Sequence, residues 1–100
     1  MRIALDYDKT FTGDRALFSE FVMMSKRRGH DIKFVTARYG ERKNDDIERD
    51  ARQLGIDIVY TDGRKKKPLL SDMLWTPDIW VDDDPDSIVA EKRRPSATLI

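Results

Sequence analysis

The chain has no cysteine. That excludes a disulfide scaffold, a thiolate nucleophile and Cys-ligated zinc. It has a single histidine, His30. Nineteen acidic residues balance nineteen basic ones, so net charge points to neither nucleic acid nor a membrane surface as a partner. No apolar run is long enough to span a bilayer, and the N-terminus carries no signal-like stretch. A soluble, cytoplasmic protein is the expectation. Internal repeats, low-complexity segments and linkers are also lacking. What remains is 100 residues, the length of one domain over 1–100. Charged residues make up 38% and apolar residues 39%, and the apolar ones fall in periodic segments, as a folded chain requires.

The stretch Ile3-Ala4-Leu5-Asp6-Tyr7-Asp8-Lys9-Thr10 organises the rest. Its apolar start reads as a buried strand over residues 2–7. Two carboxylates spaced i, i+2 follow, and side chains at that spacing share a side of an extended chain. They repel unless a cation neutralises them or one stays protonated, so a divalent metal site is the natural expectation.

The remaining elements follow in order. Phe11 to Gly13 is a turn and Asp14 an N-cap. Leu17, Phe18, Phe21, Val22 and Met24 recur at helical spacing. Lys26, Arg27 and Arg28 suit the negative end of that helix, which Gly29 closes. His30 falls at the end of the next strand remote from the Asp pair and is assigned no chemistry. Asp31 to Thr36 is strand two. A polar loop, Tyr39 to Lys43, leads to Asn44 as N-cap, with Asp45 and Asp46 in the first helical turn. That position accounts for both acids, and no chemistry is assigned to them. Ile47, Ala51 and Leu54 mark the buried face, and Gly55 ends the helix. Ile56 to Tyr60 is strand three. The turn Thr61 to Lys67 runs into a helix with Pro68 at its first position and Leu69, Leu70, Met73 and Leu74 as its apolar face. Asp78 to Asp82 is strand four. Asp84-Pro85 starts a final helix through Ile88 and Val89, Pro95 breaks it, and Ala97 to Ile100 is a terminal strand.

This βαβαβαβαβ order predicts an α/β fold, a single doubly wound, Rossmann-like parallel sheet with helices on both faces. The strand ends then lie along one edge. They bring together Asp6 and Asp8, Thr36, a lysine among Lys65, Lys66 and Lys67, and Asp82 with Asp83. A phosphate monoester needs such a set. One carboxylate attacks phosphorus, a second carboxyl group handles protons, and a hydroxyl and an ammonium hold the phosphoryl oxygens. Mg²⁺ takes oxygen ligands from acids on different strands.

DYDKT resembles the D-x-D-x-[TV] signature of the haloacid-dehalogenase-like (HAD) phosphohydrolases. The resemblance extends to Thr36 in FVTAR, to the lysines before Pro68 and to the acids of DIWVDDDP, in the family's order and over nearly the whole chain. It implies a Mg²⁺-dependent phosphatase working through an aspartyl-phosphate. Asp6 would be nucleophile and metal ligand. Asp8 would be general acid/base, with its backbone carbonyl on the metal. Thr36 would hold the transferring phosphoryl group, and a lysine would neutralise Asp6 and the phosphate. Asp83, supported by Asp82, would complete the metal site. Lys66 is the preferred lysine, since Leu69, Leu70 and Leu74 then fall at +3, +4 and +8 on one face; Lys65 and Lys67 remain alternatives. The family usually has glycine where Lys9 stands.

The connections leave no room for a cap domain. Uncapped relatives often act on large substrates, so the phosphorylated substrate is a small molecule or a nucleic-acid end, with Arg38, Tyr39 and Arg42 as candidate contacts. Two alternatives are an inactive metal- or phosphate-binding module, with Lys9 as its support, and a receiver-type domain phosphorylated on Asp. The latter carries its phosphoacceptor after the third strand, where this chain has Thr61.

Overall fold

The computed structural model describes residues 1–89 and 98–99. Five parallel strands form one sheet in the order β3-β2-β1-β4-β5: β1 (Arg2–Leu5), β2 (Asp31–Thr36), β3 (Ile58–Tyr60), β4 (Ile79–Val81) and β5 (Thr98–Leu99). The helices are α1 (Arg15–Arg27), α2 (Asp45–Leu54) and α3 (Lys66–Asp72). The doubly wound α/β architecture without a cap is what the alternation of elements predicts.

Side-chain alternation along the strands divides the core in two. Ile3 and Leu5, Ile32 and Phe34, and Val81 face the layer that contains Val22 of α1 and Ile47, Ala51 and Leu54 of α2. Ala4, Val35, Val59 and Trp80 face the other, with Leu70 of α3, Trp75 and Ile88. Burial of strand residues on both faces is why these strands read as apolar runs. The strand order reverses at β1, which pairs with both β2 and β4. Just beyond the carboxyl ends of β1 and β4 lies the crevice that such a reversal creates.

Several boundaries differ from the sequence reading. β1 ends at Leu5, and the Asp6 N–H still bonds the Val81 carbonyl at 2.9 Å before the chain turns. β3 starts two residues late because the Ile56 N–H caps α2 on the Ala51 carbonyl at 3.1 Å. β4 is trimmed to Ile79–Val81; the Asp78 N–H reaches the Arg2 carbonyl at 2.8 Å. Asn44 precedes α2 but caps nothing. Its amide donates instead to the Tyr39 and Arg42 carbonyls, closing the loop before the helix.

The helix faces also need correction. On α1, Leu17 and Met24 are exposed, while Val22 and Ser25 are buried and Phe18 and Phe21 pack against the core. α3 begins at Lys66, so Pro68 is its third residue. A proline is tolerated there because first-turn N–H groups have no intrahelical partner. Leu70 is fully buried, but Met73 and Leu74 lie beyond the helix, and Leu74, at φ 60, is 86% exposed. After Asp84 the chain forms only a 3-10 turn, Pro85–Ser87, with Ile88 buried behind it. Pro95, Ala97 and Ile100 lie outside the described residues.

Leu70→Ala should therefore cost about 2–5 kcal/mol, as buried leucine truncations do. Leu74→Ala should stay within about 0.5 kcal/mol. Urea denaturation of the two variants checks this, and comparable losses would place Leu74 in the core.

Candidate functional site

Lys66, the first residue of α3, is 1% exposed. Its ammonium lies 2.9 Å from Asp6 Oδ1 and 2.5 Å from Asp82 Oδ2. Asp6 follows β1 and Asp82 follows β4, so one lysine bridges the two strand tips at the point of reversal. Lys65 and Lys67 are not equivalent to it. The Lys65 ammonium donates to the Asp86 carbonyl on the surface, and Lys67 is only half-buried, its backbone N–H on the Ile88 carbonyl.

Asp83 completes the group. Carboxylate oxygens of Asp6, Asp82 and Asp83 lie within 4.8 Å of one another. Thr10 sits among them. Its Oγ1 is 3.0 Å from both Asp6 Oδ2 and Asp83 Oδ1, and it accepts the Asp83 N–H at 3.1 Å. The hydroxyl has one proton, so it serves one carboxylate at a time. Asp82 is fixed through its other oxygen by the Asp84 N–H at 2.9 Å.

Three carboxylates therefore face one buried ammonium, which leaves an excess of negative charge if all ionise. Burial is the main cause that pushes the Asp6 carboxyl up to about 6. Lys66 opposes the rise, and Asp82 and Asp83 reinforce it. Asp83 moves the other way. Its slight burial would raise it, but hydrogen bonds from Asp6, Thr10 and its own N–H, with Lys9 nearby, hold it below the ordinary carboxylate range. An all-oxygen donor set with surplus negative charge suits a hard divalent cation. These residues fit one.

Asp8 does not join this cluster. Its half-exposed carboxylate is gripped by Arg38, Nε to Oδ2 at 2.9 Å and Nη2 to Oδ1 at 2.7 Å. Arg38 is in turn held by Asp46, Nη1 to Oδ1 at 2.6 Å and Nη2 to Oδ2 at 2.9 Å. That pair, with the helix-start amide of Ile47, holds the Asp46 carboxyl down at about 2. The first-turn position of Asp46 thus accounts for only part of its surroundings, whereas Asp45 meets just exposed Lys43, at 3.9 Å. Thr36 is buried at the tip of β2, and its hydroxyl accepts the Arg38 N–H at 3.3 Å. His30 lies at the opposite edge, its Nδ1 2.9 Å from the N-terminal amine.

Asp50 escaped the sequence reading. It is buried, accepts the Tyr7 hydroxyl at 2.5 Å and pairs with Arg15 at 2.6 Å. Burial and this acid push the Tyr7 phenol up to about 12. The available signal was an acid within the apolar stripe Ile47, Ala51 and Leu54, since a charge on a buried face requires partners.

Lys9 adopts φ 67, the left-handed conformation that favours glycine. It lines an open cleft of about 520 Å³ beside the acids, with Thr10, Phe18, Val81, Asp82 and Asp83 among the walls. No described helix is long and apolar enough to cross a membrane. Comparisons with family models, curated proteins and solved structures found no match.

Two outcomes follow. Asp6 is raised from 3.8 to about 6, so its stabilising contribution is full below 3.8 and disappears as pH rises through about 6. The Asp46 contribution is instead lost as pH falls below 3.8 towards about 2. In metal-free protein, Asp6→Asn should thus gain on the parent by several degrees of Tm between about pH 4 and about pH 7. Parallel Tm curves would show that Asp6 is not raised. Separately, Lys9→Gly should be more stable than Lys9→Ala by about 1 kcal/mol. Both remove the amino group, so the difference reads backbone strain, and equal stabilities would mean the turn is unstrained.

Proposed function

We propose that this chain is a metal-dependent phosphomonoester hydrolase of the HAD-like type, working through an aspartyl-phosphate. The observation that carries the reading is the buried Lys66 ammonium between Asp6 and Asp82, with Asp83 beside them. It supplies a fixed nucleophile, a positive charge for phosphoryl oxygens and a place for a cation. Mg²⁺, held by Asp6, Asp82 and Asp83 with the Asp8 carbonyl, would screen the substrate phosphate from these acids and polarise the phosphorus.

In the first step an Asp6 oxygen attacks phosphorus, and the bond from phosphorus to the leaving oxygen breaks. Asp8, when protonated, gives its proton to that oxygen. In the second step the Asp8 carboxylate takes a proton from water. The water oxygen attacks phosphorus, the bond to Asp6 breaks, inorganic phosphate leaves and Asp6 is regenerated. Lys66 holds Asp6 in line and neutralises the phosphoryl oxygens that approach it. Thr36 adds a hydroxyl at the neighbouring strand tip. Without a cap the cleft stays open, which suits nucleotides, nucleic-acid ends or other large phosphorylated substrates, in the cytoplasm.

A second reading, a non-catalytic metal- or phosphate-binding module, is favoured by one observation: Lys9 accepts a left-handed backbone at the mouth of the site. The sheet order argues against a receiver-type domain. Such flavodoxin-like sheets run 2-1-3-4-5, whereas here β1 lies between β2 and β4.

Rapid quench with an activated aryl phosphate separates these readings. The parent should turn over with Mg²⁺ and stop on chelation. Asp6→Asn should form no phosphoenzyme. Asp8→Asn should show a burst, because a good leaving group needs little protonation, then turnover slowed by about 10²–10⁴-fold. Binding of Mg²⁺ and phosphate without turnover would favour the module.

A further inference from the structure

Arg38 sits on the loop after β2, where an arginine invites the role of substrate contact. Its surroundings argue otherwise. A guanidinium offers five N–H groups in a rigid fork. Nε and Nη2 grip both oxygens of Asp8, at 2.9 and 2.7 Å. Nη1 and Nη2 grip both oxygens of Asp46, at 2.6 and 2.9 Å. Nη1 also reaches Asn44 Oδ1 at 3.5 Å. The guanidinium carbon lies 5.1 Å from the centroid of the buried Tyr7 ring. No N–H is left to meet a substrate anion.

Stability alone is a poor account of the arrangement. Half-exposed ion pairs contribute little to folding, and Asp8 is 51% exposed at its side chain. What the fork does supply is direction. It fixes a carboxylate that would otherwise rotate freely on a turn, and uses only half of the acceptor sites on its oxygens. The remaining sites face solvent and can take a proton from water.

We propose that Arg38 is a positioning residue for Asp8, aimed from behind by Asp46, and not a substrate contact. The proposal rests on the hydrolase reading, in which Asp8 activates the water of the second step. It adds that α2, through Asp46, sets the geometry of that step from outside the site.

The test is a kinetic cycle on the parent, Arg38→Lys, Asp8→Asn and the double variant, with an activated aryl phosphate and Mg²⁺. Lysine keeps the charge but cannot present the fork. Arg38→Lys should lower kcat by about 10²-fold, as a misplaced catalytic group does, with KM unchanged and a phosphoenzyme burst of full amplitude. In the Asp8→Asn background the same substitution should change nothing further. Equal losses in both backgrounds, or a loss confined to KM, would overturn the proposal while the hydrolase reading stands. A parent that turns over no phosphomonoester overturns both, and does so before any variant is compared. If Arg38→Lys fails to fold, Asp46→Asn takes its place in the cycle. That variant keeps an oxygen for the Ile47 N–H, and its smaller loss should also vanish without Asp8.

Discussion

An ammonium that is 1% exposed is expensive to desolvate unless its partners are close and well aimed. Lys66 meets that condition through Asp6 and Asp82, residues 60 and 16 positions away in the chain. Each partner is also needed by the other two. Removing one member of such a buried pair leaves an uncompensated charge, which typically costs about 3–5 kcal/mol. The bridge therefore ties the start of α3 to the tips of β1 and β4, and it cannot relax without disturbing the sheet. The same bridge leaves the site negative, because one lysine cannot neutralise three acids. That imbalance, with burial, raises Asp6, and it is the imbalance a cation would relieve. Fold and site depend on one interaction.

Topology explains why the bridge is where it is. β1 is the strand at which the order reverses, so the connections leaving β1 and β4 move apart and open a crevice. Asp6 and Asp82 line its floor. Electrostatics then differs across a few ångströms. The Lys66 bridge is buried, where charge interactions are strong and salt has little access. The Arg38–Asp8 pair is half-exposed, where screening weakens it. The first arrangement holds a nucleophile rigidly. The second directs a group that must meet water.

Much of this was legible in the residues. The alternation of apolar strands with amphipathic helices carries the doubly wound sheet, and the acids at strand ends carry Asp6, Asp82 and Asp83. Lys66 was singled out by counting the α3 face, although half of that count fails. Leu70 is buried as expected, but α3 stops at Asp72 and leaves Leu74 in solvent. Lys66 lies inside because two carboxylates draw it there, a reason that sequence spacing does not contain. Arg38 and Asp46 were invisible as a pair for a related reason. Each has an adequate local explanation, as a loop cation and a first-turn acid, and only the packing of α2 against the β1 turn brings them together. Leu17 and Met24 were misplaced because helical spacing fits two adjacent stripes on α1, and the stripe through Phe18, Val22 and Ser25 is the one that meets the sheet.

α2 holds none of the residues assigned to chemistry, yet it braces the turn that holds two of them. From its buried face Asp50 takes the Tyr7 hydroxyl, with Arg15 closing the group. From its first turn Asp46 holds Arg38, and Arg38 holds Asp8. Tyr7 and Asp8 are neighbours in the chain, so the two anchors pull consecutive side chains towards the same helix. Asp6, one residue earlier, is drawn the opposite way by Lys66 of α3. The turn after β1 is thus held from both faces of the sheet. Such bracing can hold Lys9 at φ 67, since a strained backbone persists only where its neighbours over-determine it. A mutation on the solvent side of α2 can then reach the site by only two routes, through Tyr7 or through Arg38, and both end on the turn that separates Asp6 from Thr10.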